Sequence, residues 1–208
     1  MRGKFITFEG CEGVGKSTQV RLLKEYLQNT NQEAVFIREP GGTDISEKLR
    51  TIILDIENKN MSDICELMLY SASRAQLISE VISPALAQGK LVICDRYIDS
   101  TFAYQGFARG LGVDYVDTLN KLTCKDVLPD ATVFLDLAPD KAFKRKGGAD
   151  ANDRLESENL DFHMKVYEGY KLAIEREPSR FLVFKTLDTK FETSVVIINL
   201  LKERGYIK

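Results

Sequence analysis

The 208-residue sequence predicts a three-layer α/β domain, a five-stranded parallel sheet flanked by helices. Three observations carry that prediction. Five short apolar segments alternate with stretches of helical periodicity. The apolar segments are continuous rather than alternating, as strands covered on both faces are. No internal repeat, low-complexity tract or linker divides the chain, so residues 1–208 read as a single domain.

In order along the chain, Lys4 to Glu9 is rich in β-formers and stops at Gly10, a strand. From Lys16 to about Gln28, Val20, Leu23, Tyr26 and Leu27 recur at helical spacing. Ala34 to Ile37 is a second strand, and Ser46 to Asp55 a helix. Ser62 to Gln88 reads as a long helix with a break at Pro84 and Gly89 as its stop. Leu91 to Cys94 is a buried strand followed at once by Asp95. Asp114 to Thr123 is a helix with Asp114 as its N-cap. Thr132 to Leu137 is the fourth strand, after which Pro139 opens a helix at a position proline tolerates. Leu160 to Glu177 is a long helix and Phe181 to Phe184 the fifth strand. Thr189-Lys190-Phe191-Glu192 forms a capping box before the last helix, which Gly205 ends. Between the fifth and sixth of these helices, Lys146 to Asn152 (K-G-G-A-D-A-N) has the composition of a mobile lid, placed at about residues 141–156.

Composition narrows the function classes. Hydrophobic residues make up 44% and charged residues 29%, which excludes disordered, collagenous and rod-like chains. A chain of this length buries roughly 70% of its unfolded surface and needs no disulfide or metal staple. The 29 basic and 31 acidic residues leave a net charge of −2, which argues against binding nucleic acid or an anionic membrane. Cys11, Cys65, Cys94 and Cys124 are widely spaced with no C-x-x-C, against zinc ribbons and redox motifs. Cys65 and Cys94 lie in apolar runs and are expected to be buried reduced thiols, in a cytoplasmic protein. The first apolar run is cut off by Glu9, too short for a signal-peptide core or a membrane span. The single histidine, His163, excludes a multi-histidine metal site and reads as structural.

The first strand runs directly into Gly10-Cys11-Glu12-Gly13-Val14-Gly15-Lys16-Ser17, which is G-x-x-x-x-G-K-[ST] in its strand–loop–helix context. Glycines let backbone N–H groups turn inward around a phosphate chain, and the following helix aims its positive end at the same anion. Lys16 is placed to reach the β- and γ-phosphates and the Ser17 hydroxyl to bind Mg²⁺. A chance match in a chain this size has a probability of roughly 1%. A guanine-reading N-K-x-D is absent, because Asn120-Lys121-Leu122-Thr123 lacks the aspartate. Elimination favours a small-molecule kinase over a switch GTPase or a motor. Ligands bind beyond the carboxyl ends of parallel strands. Asp95 therefore falls beside the loop as a second Mg²⁺ partner, and Arg96 beside it suits another phosphate.

Five motifs together resemble the bacterial thymidylate kinase family of P-loop nucleoside monophosphate kinases. They are the loop from Phe8 to Thr18; Arg38-Glu39-Pro40-Gly41-Gly42-Thr43; Tyr70-Ser71-Ala72-Ser73-Arg74-Ala75-Gln76; Asp95-Arg96-Tyr97-Ile98-Asp99-Ser100 with Ala103-Tyr104-Gln105-Gly106; and Asp153-Arg154-Leu155-Glu156. They run in order from residue 5 to about residue 170. The resemblance implies transfer of the γ-phosphoryl of Mg·ATP to dTMP. It implies that Arg96 and Arg50 bind the dTMP phosphate, that Tyr70 stacks on thymine and that Arg74 hydrogen-bonds O4. Thr101 and Gln105 then lie near the N3 edge, Tyr104 crowds the ribose 2′ position, and Glu12 approaches the 3′-hydroxyl. Arg38 helps position its loop or forms a structural ion pair. Selectivity for thymine over uracil rests on one methyl group, worth about 1–3 kcal/mol, so slow use of dUMP is expected. Since Gly13 follows Glu12, the loop offers no arginine, and the resemblance assigns transition-state stabilisation to the lid. There Gly147-Gly148-Ala149-Asp150-Ala151 stands where relatives often carry arginine, leaving Arg145 and Arg154 for the role with Lys146 as a substitute. A homodimer is also implied, with Ser62 to Gln88 as its candidate surface. The alternatives at this stage are another nucleoside or nucleoside-monophosphate kinase and a non-catalytic nucleotide-binding switch.

Overall fold

Strand β1 (Phe5–Glu9) is buried at all five positions and lies in the middle of the sheet. It pairs in parallel with β3 (Leu91–Asp95) on one side and β4 (Ala131–Asp136) on the other. β2 (Ala34–Arg38) adds beyond β3, and β5 (Phe181–Lys185) beyond β4. The order is β2-β3-β1-β4-β5, all parallel, as the continuous apolar runs predict. The computed structural model describes residues 2–125, 127–146 and 153–208, so the glycine-rich middle of the expected lid lies outside the described residues, as does the Lys146 side chain.

Helices cover both faces. α1 (Lys16–Asn29) follows the loop after β1, and α2 (Asp44–Leu54) follows β2. The Thr43 hydroxyl accepts from the Ser46 N–H at 3.1 Å, so α2 starts two residues before the expected Ser46. α3 (Asp63–Leu77) is capped by Ser62 and runs through a π-helical turn (Ile78–Ile82) into α4 (Ser83–Ala87). Pro84 does not break this run, because it occupies the first turn of α4, where its missing N–H costs least. After β3 comes an element the composition did not announce, α5 (Ile98–Thr101) continued by a π-helical segment (Phe102–Ala108). α6 (Val113–Cys124) has Gly112 at its N-cap, at φ 95°. Asp114 is therefore a first-turn residue, a correction, because the glycine supplies a chain reversal that aspartate rarely adopts. α7 (Pro139–Lys146) and α8 (Leu160–Arg176) flank the undescribed residues, and α9 (Lys190–Glu203) closes the chain behind the Thr189–Glu192 capping box.

One core cluster joins Ile6, Phe8, Ile93 and Val133 to α1, α8 and α9, and a second joins Phe5, Val92 and Cys94 to Leu77, Ile82 and Leu86. All four cysteines are free; Cys11, Cys94 and Cys124 are buried. Cys65 is exposed, contrary to expectation, because its neighbour Glu66 takes the inward face of α3. Among the described residues no helix is long and apolar enough to cross a membrane. His163 is buried against Phe143 and Phe162, a structural placement as expected.

Candidate active site

A cleft of about 420 Å³ opens where β1 and β3 end. Its floor is the loop between β1 and α1. Gly10 there sits at φ 141°, and a Cβ on it would meet the Leu135 carbonyl at 2.9 Å, so only glycine fits the turn. Gly15 at φ 99° faces open space, leaving its backbone accessible at the start of α1. Cys11 and Val14 bury their side chains in the core and contribute only backbone to the loop. Burial pushes the Cys11 thiol up to about 12, so it stays protonated. Glu12, Gly13, Gly15, Lys16, Ser17 and Thr18 line the cleft.

Lys16 is buried, and its Nζ donates to the carbonyls of Gly10 (2.9 Å) and Cys11 (2.8 Å). An ammonium has three donors, so the loop holds the group and leaves one N–H. Burial lowers its pKa, aided by the neighbouring Arg96 charge. Ser17 Oγ donates to Asp95 Oδ2 at 2.9 Å, placing a hydroxyl and a carboxylate side by side at the floor. Two hard oxygen donors beside a phosphate loop fit Mg²⁺, which keeps waters and takes few protein ligands.

Arg96 is the hub of the cleft. It follows β3 directly and adopts a left-handed backbone, φ 69°, with its N–H held by the Phe8 carbonyl at 3.0 Å. Its Nη2 pairs with Glu12 Oε1, and its Nη1 donates to the Gly10 carbonyl, Ser100 Oγ and Tyr170 Oη, each at 3.2 Å. Burial alone would push Glu12 up, but the Arg96 guanidinium and the Lys16 ammonium outweigh it and hold the carboxyl down at about 2. Tyr104 Oη also donates to Glu12, at 3.0 Å.

Opposite the floor, Arg38, Arg50, Tyr70, Thr101, Tyr104 and Gln105 line the wall. Arg50, on α2, donates to the Pro40 carbonyl at 2.8 Å, and Arg38 pairs with Glu47 at 2.9 Å while still lining the cleft. Of the two roles left open for Arg38, the ion pair is the one formed, with a carboxylate whose other oxygen accepts from the Gly42 N–H.

Three expected site residues are placed differently. Arg74 does not line the cleft; it is 1% exposed and donates to Glu39 (2.8 Å), Asn120 (3.1 Å), the Tyr97 carbonyl (3.1 Å) and Thr101 Oγ1 (2.8 Å). Its guanidinium lies behind the wall, where burial pushes Glu39 up to about 7 against the pull of Arg74. Arg154 also does not line the cleft, although Asp153, Leu155 and Glu156 do. Its backbone N–H is held by the Leu54 carbonyl at 3.1 Å and its Nε by the Ile53 carbonyl at 3.1 Å. Its Nη2 approaches Glu66 Oε2 at 2.5 Å, an ion pair without hydrogen-bond alignment. Asp153 Oδ1 closes this turn by accepting from the N–H of Leu155 (2.9 Å) and Glu156 (2.8 Å), and Arg154 is held outside the cleft by its Ile53, Leu54 and Glu66 contacts. Arg145 is exposed on α7 and is not among the cleft residues.

Residues that sequence reasoning missed complete the site. Glu9 accepts from the N–H of Tyr97 (2.7 Å) and Ser100 (3.3 Å), from Ser100 Oγ (2.7 Å) and from Tyr170 Oη (2.9 Å). Burial and the Asp99 charge push it up to about 7 against Arg96. Its signal was a charged residue ending a buried strand. Glu66, two turns before Arg74 on α3, holds Gln105 and Arg109; the Glu66-Tyr70-Arg74 spacing on one helix face was the available clue.

The comparisons agree with this geometry. The family model described as thymidylate kinase matches residues 8–196. A thymidylate kinase of Thermoanaerobacter sp. is 44% identical over 203 residues, covering 98% of this chain and 99% of its own. One from Caldanaerobacter subterraneus subsp. tengcongensis is 45% identical over 208 residues, covering 100% and 98%. The crystal structure of thymidylate kinase from Ehrlichia chaffeensis matches with a TM-score of 0.79 and 34% identity, over 97% of this chain and 100% of that one. A five-stranded parallel sheet, a phosphate loop at its centre and full-length likeness on both measures lead to one assignment: the chain belongs to the thymidylate kinase family.

Proposed function

We propose that the chain transfers the γ-phosphoryl group of ATP to dTMP, giving ADP and dTDP. The observation that carries this is the convergence of the phosphate loop and Arg50, Arg96, Tyr70, Thr101, Tyr104 and Gln105 on one cleft. The ATP phosphates lie along Gly10 to Thr18, with the Lys16 ammonium at the bridge between β and γ. Ser17 and Asp95 would hold Mg²⁺, which neutralises charge on the β- and γ-oxygens when bound. Arg96 and Arg50 take the dTMP phosphate and bring the two anionic groups together. Such transfer needs positioning and charge neutralisation more than covalent chemistry from the protein. Glu12 stays ionised beside Arg96 and approaches the sugar 3′-hydroxyl, while the Tyr104 ring disfavours a ribose 2′-hydroxyl. Tyr70 stacks on the base.

Arg154 and Arg145 are assigned to the migrating phosphoryl. That role requires Arg154 to exchange its Glu66 contact for the phosphoryl group, and Glu66 has Arg109 as a second partner. Two further readings accompany this one. Ile64 and Met68, exposed on α3, support a homodimer through that helix, checked by sedimentation at micromolar concentration. Four free cysteines support a reducing, cytoplasmic setting.

Turnover with Mg·ATP and a panel of monophosphates tests the function. dTMP leads, dUMP is slow but measurable, and AMP, CMP and GMP stay near background. A different leading acceptor overturns the assignment in favour of another kinase on this fold. ATP binding with no ADP formed from any acceptor overturns it in favour of a nucleotide-binding switch.

A further inference from the structure

A buried ion pair lies behind Arg96, outside the cleft. Asp99 is 3% exposed, and Arg180, the residue before β5, meets it with two parallel bonds of 2.7 Å, Nη1 to Oδ2 and Nη2 to Oδ1. Arg180 Nη1 also donates to Thr132 Oγ1 at 2.5 Å, its Nε donates to Glu177 at 2.6 Å, and its guanidinium lies over the Phe181 ring at 4.6 Å. Thr132 in turn reaches Asp99 Oδ2 at 3.1 Å and Thr7 Oγ1 at 2.9 Å, so the pair is anchored to β4 and β1. Burial alone would lower the Arg180 pKa, but the Asp99 charge outweighs it and the pair stays ionised. Burying two charges is a poor route to stability, because desolvation offsets most of their attraction. A two-pronged contact of guanidinium and carboxylate instead fixes position and orientation.

What it fixes is α5. Asp99 is the second residue of that helix, which begins two residues after Arg96. At the start of α5, Glu9 from the carboxyl end of β1 accepts from the N–H of Tyr97 and Ser100. Arg180 comes from the opposite direction. β5 runs parallel to its neighbours, so the residue before it stands at the amino ends of the strands, away from the cleft. α5 is thus held between an anion at one end of the sheet and a cation from the other. Arg96 is the joint between β3 and this helix. A non-glycine residue keeps a left-handed backbone such as its φ of 69° only where the surroundings over-determine it. Its Nη1 also rests on Ser100 Oγ, next to Asp99 in sequence. A shift of α5 therefore moves both the backbone of Arg96 and one support of its side chain.

We propose that Arg180 is a positioning residue for the acceptor phosphate: through Asp99 it fixes α5, and α5 fixes the Arg96 guanidinium. Neither Arg180 nor Asp99 lines the cleft. The inference rests on the dTMP reading above and adds to it a pair that touches no substrate.

The test is steady-state kinetics with dTMP and Mg·ATP in wild type, Arg180→Gln, Asp99→Asn and the double variant. Each single variant raises KM for dTMP by about fivefold, with kcat and KM for ATP within about twofold of wild type. That split separates positioning of Arg96 from general loosening, which would move the ATP side and kcat as well. The double variant is no worse than the worse single one, as a pair acting as a unit requires. KM for dTMP within about twofold of wild type in folded Arg180→Gln overturns the proposal, and so does an equal rise in KM for ATP. Effects that multiply in the double variant overturn the route through Asp99. If either single variant fails to fold by circular dichroism, the double variant decides on the same KM criteria, since it leaves no buried charge uncompensated. If wild type does not turn over dTMP at all, the function reading fails instead. The NMR signal of the Arg96 Nε–H group then judges the clamp: Arg180→Gln shifts it, and an unmoved signal overturns the proposal.

Discussion

Replacing Tyr170 by phenylalanine isolates one hydroxyl at the junction of floor and wall. The ring is fully buried against Phe134 (5.2 Å between centroids) and Tyr104 (6.4 Å), and phenylalanine keeps both contacts. What is lost is the bond to Glu9 Oε2 at 2.9 Å, the contact with Ser100 Oγ at 2.9 Å and the acceptor for Arg96 Nη1 at 3.2 Å. Glu9 retains three donors and Nη1 retains Gly10 and Ser100, so no charge is left unpaired. A hydrogen bond to a charged group is worth about 1.5–3 kcal/mol, so a loss of about 2 kcal/mol is expected. For a chain of this length that lowers Tm by about 4–8 °C. The hydroxyl favours ionised Glu9, whose pKa is about 7, so the deficit is larger well above that pH than well below it. KM for dTMP rises because Arg96 loses one of its fixings, with kcat little changed. The assay is thermal unfolding at about pH 5.5 and 8.5, with steady-state kinetics on the same samples. A Tm within about 1 °C of wild type at both pH values refutes the argument that this hydroxyl ties the two halves.

Lys16→Met lowers kcat by about a thousandfold with the Tm almost unchanged; a loss under tenfold in a turnover assay removes Lys16 from the phosphate machinery. Arg154→Ala lowers kcat more than about tenfold, and a smaller fall in single-turnover kinetics restricts Arg154 to its pairing with Glu66. Acid unfolding tests Glu12. Its folded pKa of about 2 lies below the usual 4.5, so its stabilisation is complete above 4.5 and lost as pH falls towards 2. The loss is about 3 kcal/mol across that window, and Glu12→Gln gives a flatter curve there; parallel curves contradict the pairing with Arg96.

Local patterns were readable in the chain and distant pairings were not. The strands, the phosphate loop and the Thr189 capping box each depend on neighbours in sequence, and all stand where expected. The helical run from Ile98 to Ala108 was not among the expected elements, and it contains Gly106, a residue helices disfavour. In the fold its bare Cα lets Val113 and Val116 approach a Cβ position at 3.4 Å. Arg74 and Arg154 carry motif positions, but their partners Glu39, Asn120 and Glu66 come from other elements, so no spacing rule directs their side chains away from the cleft. Cys65 failed for a simpler reason: an apolar run does not say which side of a helix each member occupies, and the charged Glu66 took the inside. Glu9 and Tyr170 are 161 positions apart, and only the closed fold makes them partners.

The strand order also sets a timetable for synthesis. A chain emerging N-terminus first completes β1, β2 and β3 within its first 95 residues, and these three are already neighbours in the sheet. Three of the five strands and the whole phosphate loop thus exist before β4 leaves the ribosome. β4 then adds to the open edge of β1, and β5 to β4. The acceptor wall waits longer, because the helical run that carries Thr101 and Gln105 packs on α8, translated some 60 residues later. A nascent chain released early therefore has a place for phosphates but no finished place for a base.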